Sequence, residues 1–149
     1  MDLLLRERLD RDPGMIFVGT EWSKRVWREY DIESGPDKES LAKFSKEIAE
    51  STGAEVALLC HLFAFEDKKG TAYGVEFPAY VAFDLALLRL ADSSVLWRGS
   101  FVRRQKDLSR NIFDVGEFVK AGGRWLTASQ LAALGLDEVM ETFPLKQGR

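Results

Sequence analysis

A chain of 149 residues has room for one domain spanning 1–149, and a domain of that size buries roughly 70% of its unfolded-chain surface. Hydrophobic residues are 46% and charged residues 30% of the total, the balance of a soluble globular protein. The 21 basic and 24 acidic side chains leave a net charge of −3, which argues against a general nucleic-acid binder. The single Cys and the single His are the neighbours Cys60 and His61. They exclude an internal disulfide and a structural zinc site of about four Cys/His ligands. As neighbours on a strand they point to opposite faces, which argues against a Cys–His catalytic pair. No apolar run reaches ~18 residues, the length that spans a membrane. Residues 1–12 are charged and do not read as a signal peptide. The chain is therefore cytoplasmic, or a signal lies upstream of Met1.

Asp2–Arg11 reads as a short helix, with Leu5 and Leu9 four apart and Leu3 and Leu4 beside them. Asp12-Pro13-Gly14 ends it, and Met15–Val18 is a short apolar strand closed by Gly19. Trp22, Val26 and Tyr30 fall at helical spacing, so a helix is predicted over about 21–30, with Trp27 adjacent. Its aromatics either cover the core or form an exposed patch for a partner. After the Ser34–Asp37 loop, Leu41, Phe44 and Ile48 mark one face of a helix running to about Thr52. Asp37 is its expected N-cap and Gly53 its C′ residue.

Glu55–Glu66 is the longest apolar run, apolar at both parities, and reads as a central strand covered on both sides at its start. Cys60 there reads as a small core residue, and His61 as a partly buried histidine with its polar atoms satisfied rather than a ligand. Asp67–Gly70 is a predicted turn, and Thr71–Phe77 a loose loop or edge strand. Pro78 opens a hairpin, as Pro can at the first residue of a strand. Val81, Phe83, Leu85 and Leu87 alternate with Ala82, Asp84 and Ala86, then Val95, Trp97 and Phe101 alternate with Arg98 and Ser100. The turn between them is Ala91-Asp92-Ser93-Ser94. Leu88 and Leu90 break the alternation, which predicts a bulge or a change of covering layer.

Arg103, Arg104, Lys106 and Arg110 form a basic cluster that reads as a solvated strand end or as a phosphate or RNA contact. Asp107 and Asp114 follow it and no Gly-rich loop is near, which favours the strand end. A helix is predicted over Leu108–Lys120 from Ile112, Val115 and Val119, with Phe113 and Phe118 adjacent. Thr127 and Gln130 have capping-box spacing, and Leu126 and Leu131 staple spacing, so a helix starts at Ala128. Leu131, Leu134, Val139, Met140 and Phe143 supply its buried face, Pro144 follows it, and the tail from Leu145 frays.

Phe17-Val18 after a Leu-rich helix, then Gly53–Leu59, Val81–Leu85, and Val95–Phe101 with its Trp-x-Gly-x-Phe-like end, resemble a bacterial envelope superfamily. It includes the amino-terminal domain of the TolB protein, the periplasmic part of the curli secretion channel subunit and a lipoprotein activator of penicillin-binding proteins. Small uncharacterised lipoproteins within it also carry a segment like Gly122–Thr127. The resemblance implies an α+β fold: a mainly antiparallel sheet of about four strands packed with helices. It also implies a non-catalytic protein-interaction or assembly role, periplasmic and outer-membrane-associated. Three features depart from the pattern. The chain opens in the first helix rather than in a strand, no lipidated Cys or signal precedes that helix, and the hairpin turn lacks Gly. A missing first strand would be replaced by dimerisation or strand exchange, or the strand order would differ.

The expected partner is therefore a protein, either another chain or a second copy of this one, with no nucleic acid. Membrane association would come only through an upstream lipid anchor. Trp22, Trp27, Phe113, Phe118, Arg124 and Trp125 are the candidate contacts, since Trp and Arg are over-represented at binding hot spots. Trp125 alternatively plugs the core beside the last helix. Of the carboxylates Glu55, Glu66, Glu76 and Asp84, only Asp84 lies inside a strand, and nothing sets a second carboxylate opposite it for acid–base work. No catalytic residue, cofactor or metal is expected. The alternative reading is a cytoplasmic domain that binds a small ligand or nucleic acid.

Overall fold

The computed structural model describes residues 1–9, 25, 28–29, 37–70, 75–105 and 125–144. Within them lie three helices, α1 (Asp2–Leu9), α2 (Lys38–Thr52) and α3 (Ala128–Met140). The strands are β1 (Val56–Glu66), β2 (Lys69–Gly70), β3 (Val75–Phe77), β4 (Tyr80–Arg89) and β5 (Ser94–Arg104). β1, β4 and β5 form one sheet in the order β1-β4-β5, and β2 and β3 form a separate antiparallel ribbon. The Leu90 N–H, just past β4, donates to the Glu55 carbonyl, just before β1, at 2.9 Å. The Gln105 N–H, just past β5, donates to the Ala79 carbonyl, just before β4, at 3.0 Å. Each bond joins the end of one strand to the start of its neighbour, so both pairings are antiparallel. The fold is α+β. The chain divides into two compact units, one of Met1, Cys60–Asp84 and Gly99–Arg149, the other of Asp2–Leu59 and Leu85–Arg98.

In the second unit α2 forms where sequence spacing predicts it. The Asp37 carboxylate accepts from the Ser40 N–H at 2.7 Å, and Gly53 takes φ 69° while its N–H reaches the Ala49 carbonyl at 2.8 Å. Hydroxyls complete the stop. Ser51 and Thr52 also donate their hydroxyls to the carbonyls of Glu47 and Ile48 at 2.6 and 2.7 Å, the local back-bonding by which such side chains compete with helix continuation. The apolar stripe of α2 is buried, with Phe44 and Ile48 packed against Leu88 and Leu90. That packing explains the break in alternation along β4. Leu85 and Leu87 are buried at one parity and Leu88 at the other, so both faces of β4 are covered there. α1 buries Leu5 and Leu9 and exposes Leu3.

The hairpin turn solves its geometry without glycine. Ser93 takes φ 57°, a left-handed conformation that costs a residue with a Cβ about 1 kcal/mol or more. Its hydroxyl is bonded to that of buried Ser45 at 2.9 Å, which ties the turn to α2. The Asp92 carboxylate accepts from both the N–H and the hydroxyl of Ser94 at 3.0 and 2.6 Å.

In the first unit Phe83 and Phe101 stack, both buried, with ring centroids 5.4 Å apart. Gly135 of α3 lies against the Phe101 ring so closely that a Cβ there would come within 2.6 Å of it. α3 starts on the full capping box: Thr127 Oγ1 accepts from the Gln130 N–H at 3.2 Å, and Gln130 Oε1 accepts from the Thr127 N–H at 2.9 Å. Leu126 and Leu131, the staple pair, are both buried, as are Val139, Met140 and Phe143. Leu134 is only half-buried, and Leu136, fully buried, takes the core position instead.

Two further expectations change. β1 is not central: among the described residues it stands at one end of its sheet, and β4, buried at both parities, takes the middle. β1 is half-buried on both faces over residues 56–61 but exposes Leu62, Phe63, Phe65 and Glu66. The Asp67–Gly70 turn runs into the β2–β3 ribbon, where Lys69 pairs with Phe77 and Gly70 with Val75. α1 is described only to Leu9, and of the helix expected over 21–30 only Arg25, Arg28 and Glu29 are described, in helical backbone. The strand expected at Met15–Val18, the helix over Leu108–Lys120 and the tail from Leu145 lie outside the described residues.

Candidate interaction surface

Of the contact residues expected from sequence, Trp125 is described and half-buried. Trp22, Trp27, Phe113, Phe118 and Arg124 lie outside the described residues. Trp125 opens a segment that other parts of the first unit hold by its backbone. Lys68 Nζ donates to the Trp125 carbonyl at 2.8 Å. Gln105 Oε1 accepts from the Leu126 N–H at 2.8 Å, in a buried position. The Asp67 carboxylate accepts from the Ala128 N–H at 3.0 Å and from the Lys68 N–H at 2.8 Å. With the capping box, these bonds satisfy four successive residues before and at the start of α3. Asp67 also puts negative charge at a helix N-terminus, where the backbone dipoles favour it. The Trp125–Thr127 segment is therefore a fastening point for α3. Sequence reading found the cap but not its remote partners, because nothing local distinguishes Asp67, Lys68 or Gln105 from ordinary turn and strand-end residues.

The basic strand end is also engaged. Arg103 pairs with Glu138 at 3.1 Å, and its guanidinium lies 4.9 Å from the centre of the Phe101 ring. Arg104 lies 4.5 Å from the centre of the Tyr80 ring and reaches Glu66 at 3.4 Å. β4 stands between β5 and β1, so Arg104, Tyr80 and Glu66 form a row across three strands, a cation held between a ring face and a carboxylate. This geometry matches a strand end better than a phosphate cradle. Lys106 and Arg110 lie outside the described residues.

The carboxylates singled out from sequence do not converge in what is described. Glu66 is in that row, Glu55 and Glu76 are exposed, and Asp84 is half-buried on β4. Among the described residues no group of three or more His, Cys, Asp or Glu could hold a metal ion. No helix among them is long and apolar enough to cross a membrane.

The most unusual surface is the far end of β1. Leu62, Phe63 and Phe65 are 40%, 57% and 42% exposed, and Phe77 on the neighbouring ribbon is 53% exposed. His61 and Phe63, two apart on the strand, share a face with ring centroids 4.2 Å apart. Single exposed apolar residues are ordinary. Three in a run of four on an end strand are not, because such a strand is a template for pairing. β5, at the other end of the sheet, carries Arg98, Arg103 and Arg104, the kind of charge that blunts an edge. Residues 56–65 of β1 contain no Asp, Glu, Lys or Arg. The signal was legible as an uncharged run, but such a run equally marks a buried strand.

No protein-family model matches the chain, and neither a curated protein nor a solved structure matches it significantly.

Proposed function

We propose that this is a non-catalytic interaction or assembly domain of the bacterial cell envelope, working through the exposed end of β1. The observation that carries the reading is a strand that ends the sheet among the described residues and presents Leu62, Phe63 and Phe65 to solvent from a stretch, 56–65, without Asp, Glu, Lys or Arg. Exposed apolar surface of this kind marks contact sites, and aromatic side chains, Phe among them, are enriched at the centre of such sites. The envelope placement rests on the resemblance of the Gly53–Leu59, Val81–Leu85 and Val95–Phe101 stretches to the envelope superfamily. The alternative, a nucleic-acid binder acting through the basic strand end, is disfavoured by the ion pairs that occupy Arg103 and Arg104.

Cell fractionation tests the reading. The protein expressed in a bacterium from its full gene is expected in the envelope fraction. Phe63→Asp, at an exposed position, is expected to keep its melting temperature and lose that retention. Recovery of both proteins in the cytosolic fraction, or equal retention of the two, would overturn it.

A further inference from the structure

The sheet face turned away from α3 carries a carboxylate, Asp84, and we infer that it seats an arginine of a protein partner. The inference rests on the reading that the exposed end of β1 is contact surface, and it adds the chemistry of what is held there. Three contacts set β4 against β5: the Gln105–Ala79 backbone bond, the Phe83–Phe101 stack and the Arg104–Tyr80 pair. One register satisfies all three, and it sets Asp84 opposite Ser100 and Ala82 opposite Val102. Phe101, stacked on Phe83, lies against Gly135 of α3. By alternation Tyr80, Ala82 and Asp84, with Ser100, Val102 and Arg104, take the other face. Ala57 and Leu59 of β1 pack with Leu88 on that face of β4. His61 and Phe63 continue their parity, with ring centroids 4.2 Å apart. Phe63 and Val102 therefore flank Ala82.

The same face already holds one cation. The Arg104 guanidinium lies 4.5 Å from the centre of the Tyr80 ring and reaches Glu66 at 3.4 Å. A ring and a carboxylate recur at Phe63 and Asp84, and there the chain brings no cation of its own. Asp84 is half-buried and has no hydrogen-bond or ion-pair partner among the described residues. Ser100, opposite it and exposed, adds a hydroxyl oxygen as a further acceptor. A carboxylate partly withdrawn from water attracts a cation more strongly than one in bulk solvent. Guanidinium fits this seat better than ammonium, because its plane stacks on a ring and its fork of N–H donors matches a carboxylate. The aliphatic stem of that arginine covers Ala82 between Phe63 and Val102, which are 57% and 68% exposed. Those apolar flanks assign the arginine to a protein. A partner's surface covers them as the guanidinium docks, whereas a small cation would leave them in water.

Nuclear magnetic resonance titration with the capped peptide acetyl-Leu-Arg-Leu-amide tests the seat. Saturable shifts are expected at the backbone amides of Ala82, Asp84, Ser100 and Val102. The same peptide with Gln in place of Arg is expected to bind the unaltered chain about tenfold more weakly, the scale of a lost charge-assisted hydrogen bond. Asp84→Asn keeps the side-chain shape and removes the charge. It is expected to keep its melting temperature and to lose about tenfold in affinity for the Arg peptide. The peptide comparison uses the unaltered chain, so it decides even where Asp84→Asn does not fold. Equal binding of the Gln peptide, undiminished affinity in folded Asp84→Asn, or saturable shifts confined to other residues would overturn the inference. Arginine amide binding as tightly as the peptide would assign the seat to a small cation and overturn the protein partner. Envelope retention lost in Phe63→Asp, with peptide affinity undiminished in Asp84→Asn, would sink the arginine seat alone. Peptide affinity lost in Asp84→Asn, with Phe63→Asp still retained in the envelope, would sink the envelope role of this surface and leave the seat intact.

Discussion

Trp125 is neither fully plugged into the core nor displayed: it is half-buried, and its carbonyl is held by Lys68. Truncating a fully buried Trp costs ~3–5 kcal/mol. Trp125→Ala is accordingly expected to cost about 2 kcal/mol, close to half of that range, read as a shift of the urea midpoint. Gln105 makes a sharper case because both it and its partner are buried. Gln105→Ala would leave the Leu126 N–H without its acceptor, and an unsatisfied buried donor costs about 1–3 kcal/mol. A urea midpoint unchanged in that variant would mean that the bond does not hold the segment. Asp37 and Asp92 are acid-sensitive for a shared reason. The Ser40 backbone N–H holds the Asp37 carboxyl below its ordinary 3.8, and the Ser94 hydroxyl, then the Ser94 N–H, do the same for Asp92. A carboxylate depressed in the folded state adds stability that is fully present above its unfolded value and lost as pH falls through the folded one. Melting temperature is expected to fall as pH drops below about 4, and the double variant Asp37→Asn, Asp92→Asn should flatten that decline.

At the scale of the element, α3 sets two effects against each other at Gly135. Alanine in a helix interior is favoured over glycine by roughly 1 kcal/mol. A Cβ at Gly135 would lie 2.6 Å from the Phe101 ring, which is itself stacked on Phe83. Overpacking a filled core costs about 1–3 kcal/mol, and the ring has little room to retreat. Gly135→Ala is therefore expected to lower stability despite its better helix propensity, and a rise in melting temperature would show that α3 can slide away from β5. The elements also differ in how plainly their sequences announced them. α2 and the start of α3 carry their caps, Asp37, Gly53 and the Thr127–Gln130 box, within a few residues of their apolar stripes. β4 and β5 show period-two alternation, and the turn between them shows Asp92 and Ser94. β1 was legible as a strand but not as an end strand, since apolar residues at both parities describe a covered strand and a pairing edge alike. Of the ribbon, β3 falls within the stretch that reads as a loose loop or edge strand, whereas β2 was read as part of a turn because two residues are too few for any period to appear.

For the whole molecule, β1, β4 and β5 each contribute residues to both compact units. The chain passes from one unit to the other inside β1, β4 and β5, at Leu59–Cys60, Asp84–Leu85 and Arg98–Gly99, with no linker at any of these three passages. Urea unfolding followed by far-ultraviolet and near-ultraviolet circular dichroism is expected to give coincident transitions, the mark of a two-state domain. Two separated transitions would show that the units melt on their own.

What the sequence alone determined about this protein was local: where helices begin and stop, where the main hairpin turns, which stretches are apolar at which parity. Those features depend on side chains and backbone groups within one or two turns of each other, so a short window contains both partners. Tertiary structure alone decided that β4 and not β1 is the middle strand. It also decided that Asp67, Lys68 and Gln105 fasten the segment leading into α3, and that Arg103 and Arg104 spend their charge on Glu138 and Glu66. Each of those contacts joins residues that lie 21 to 61 positions apart. A polar side chain at the end of a strand looks the same in sequence whether it meets water or a backbone amide, and only the folded chain brings the amide to it.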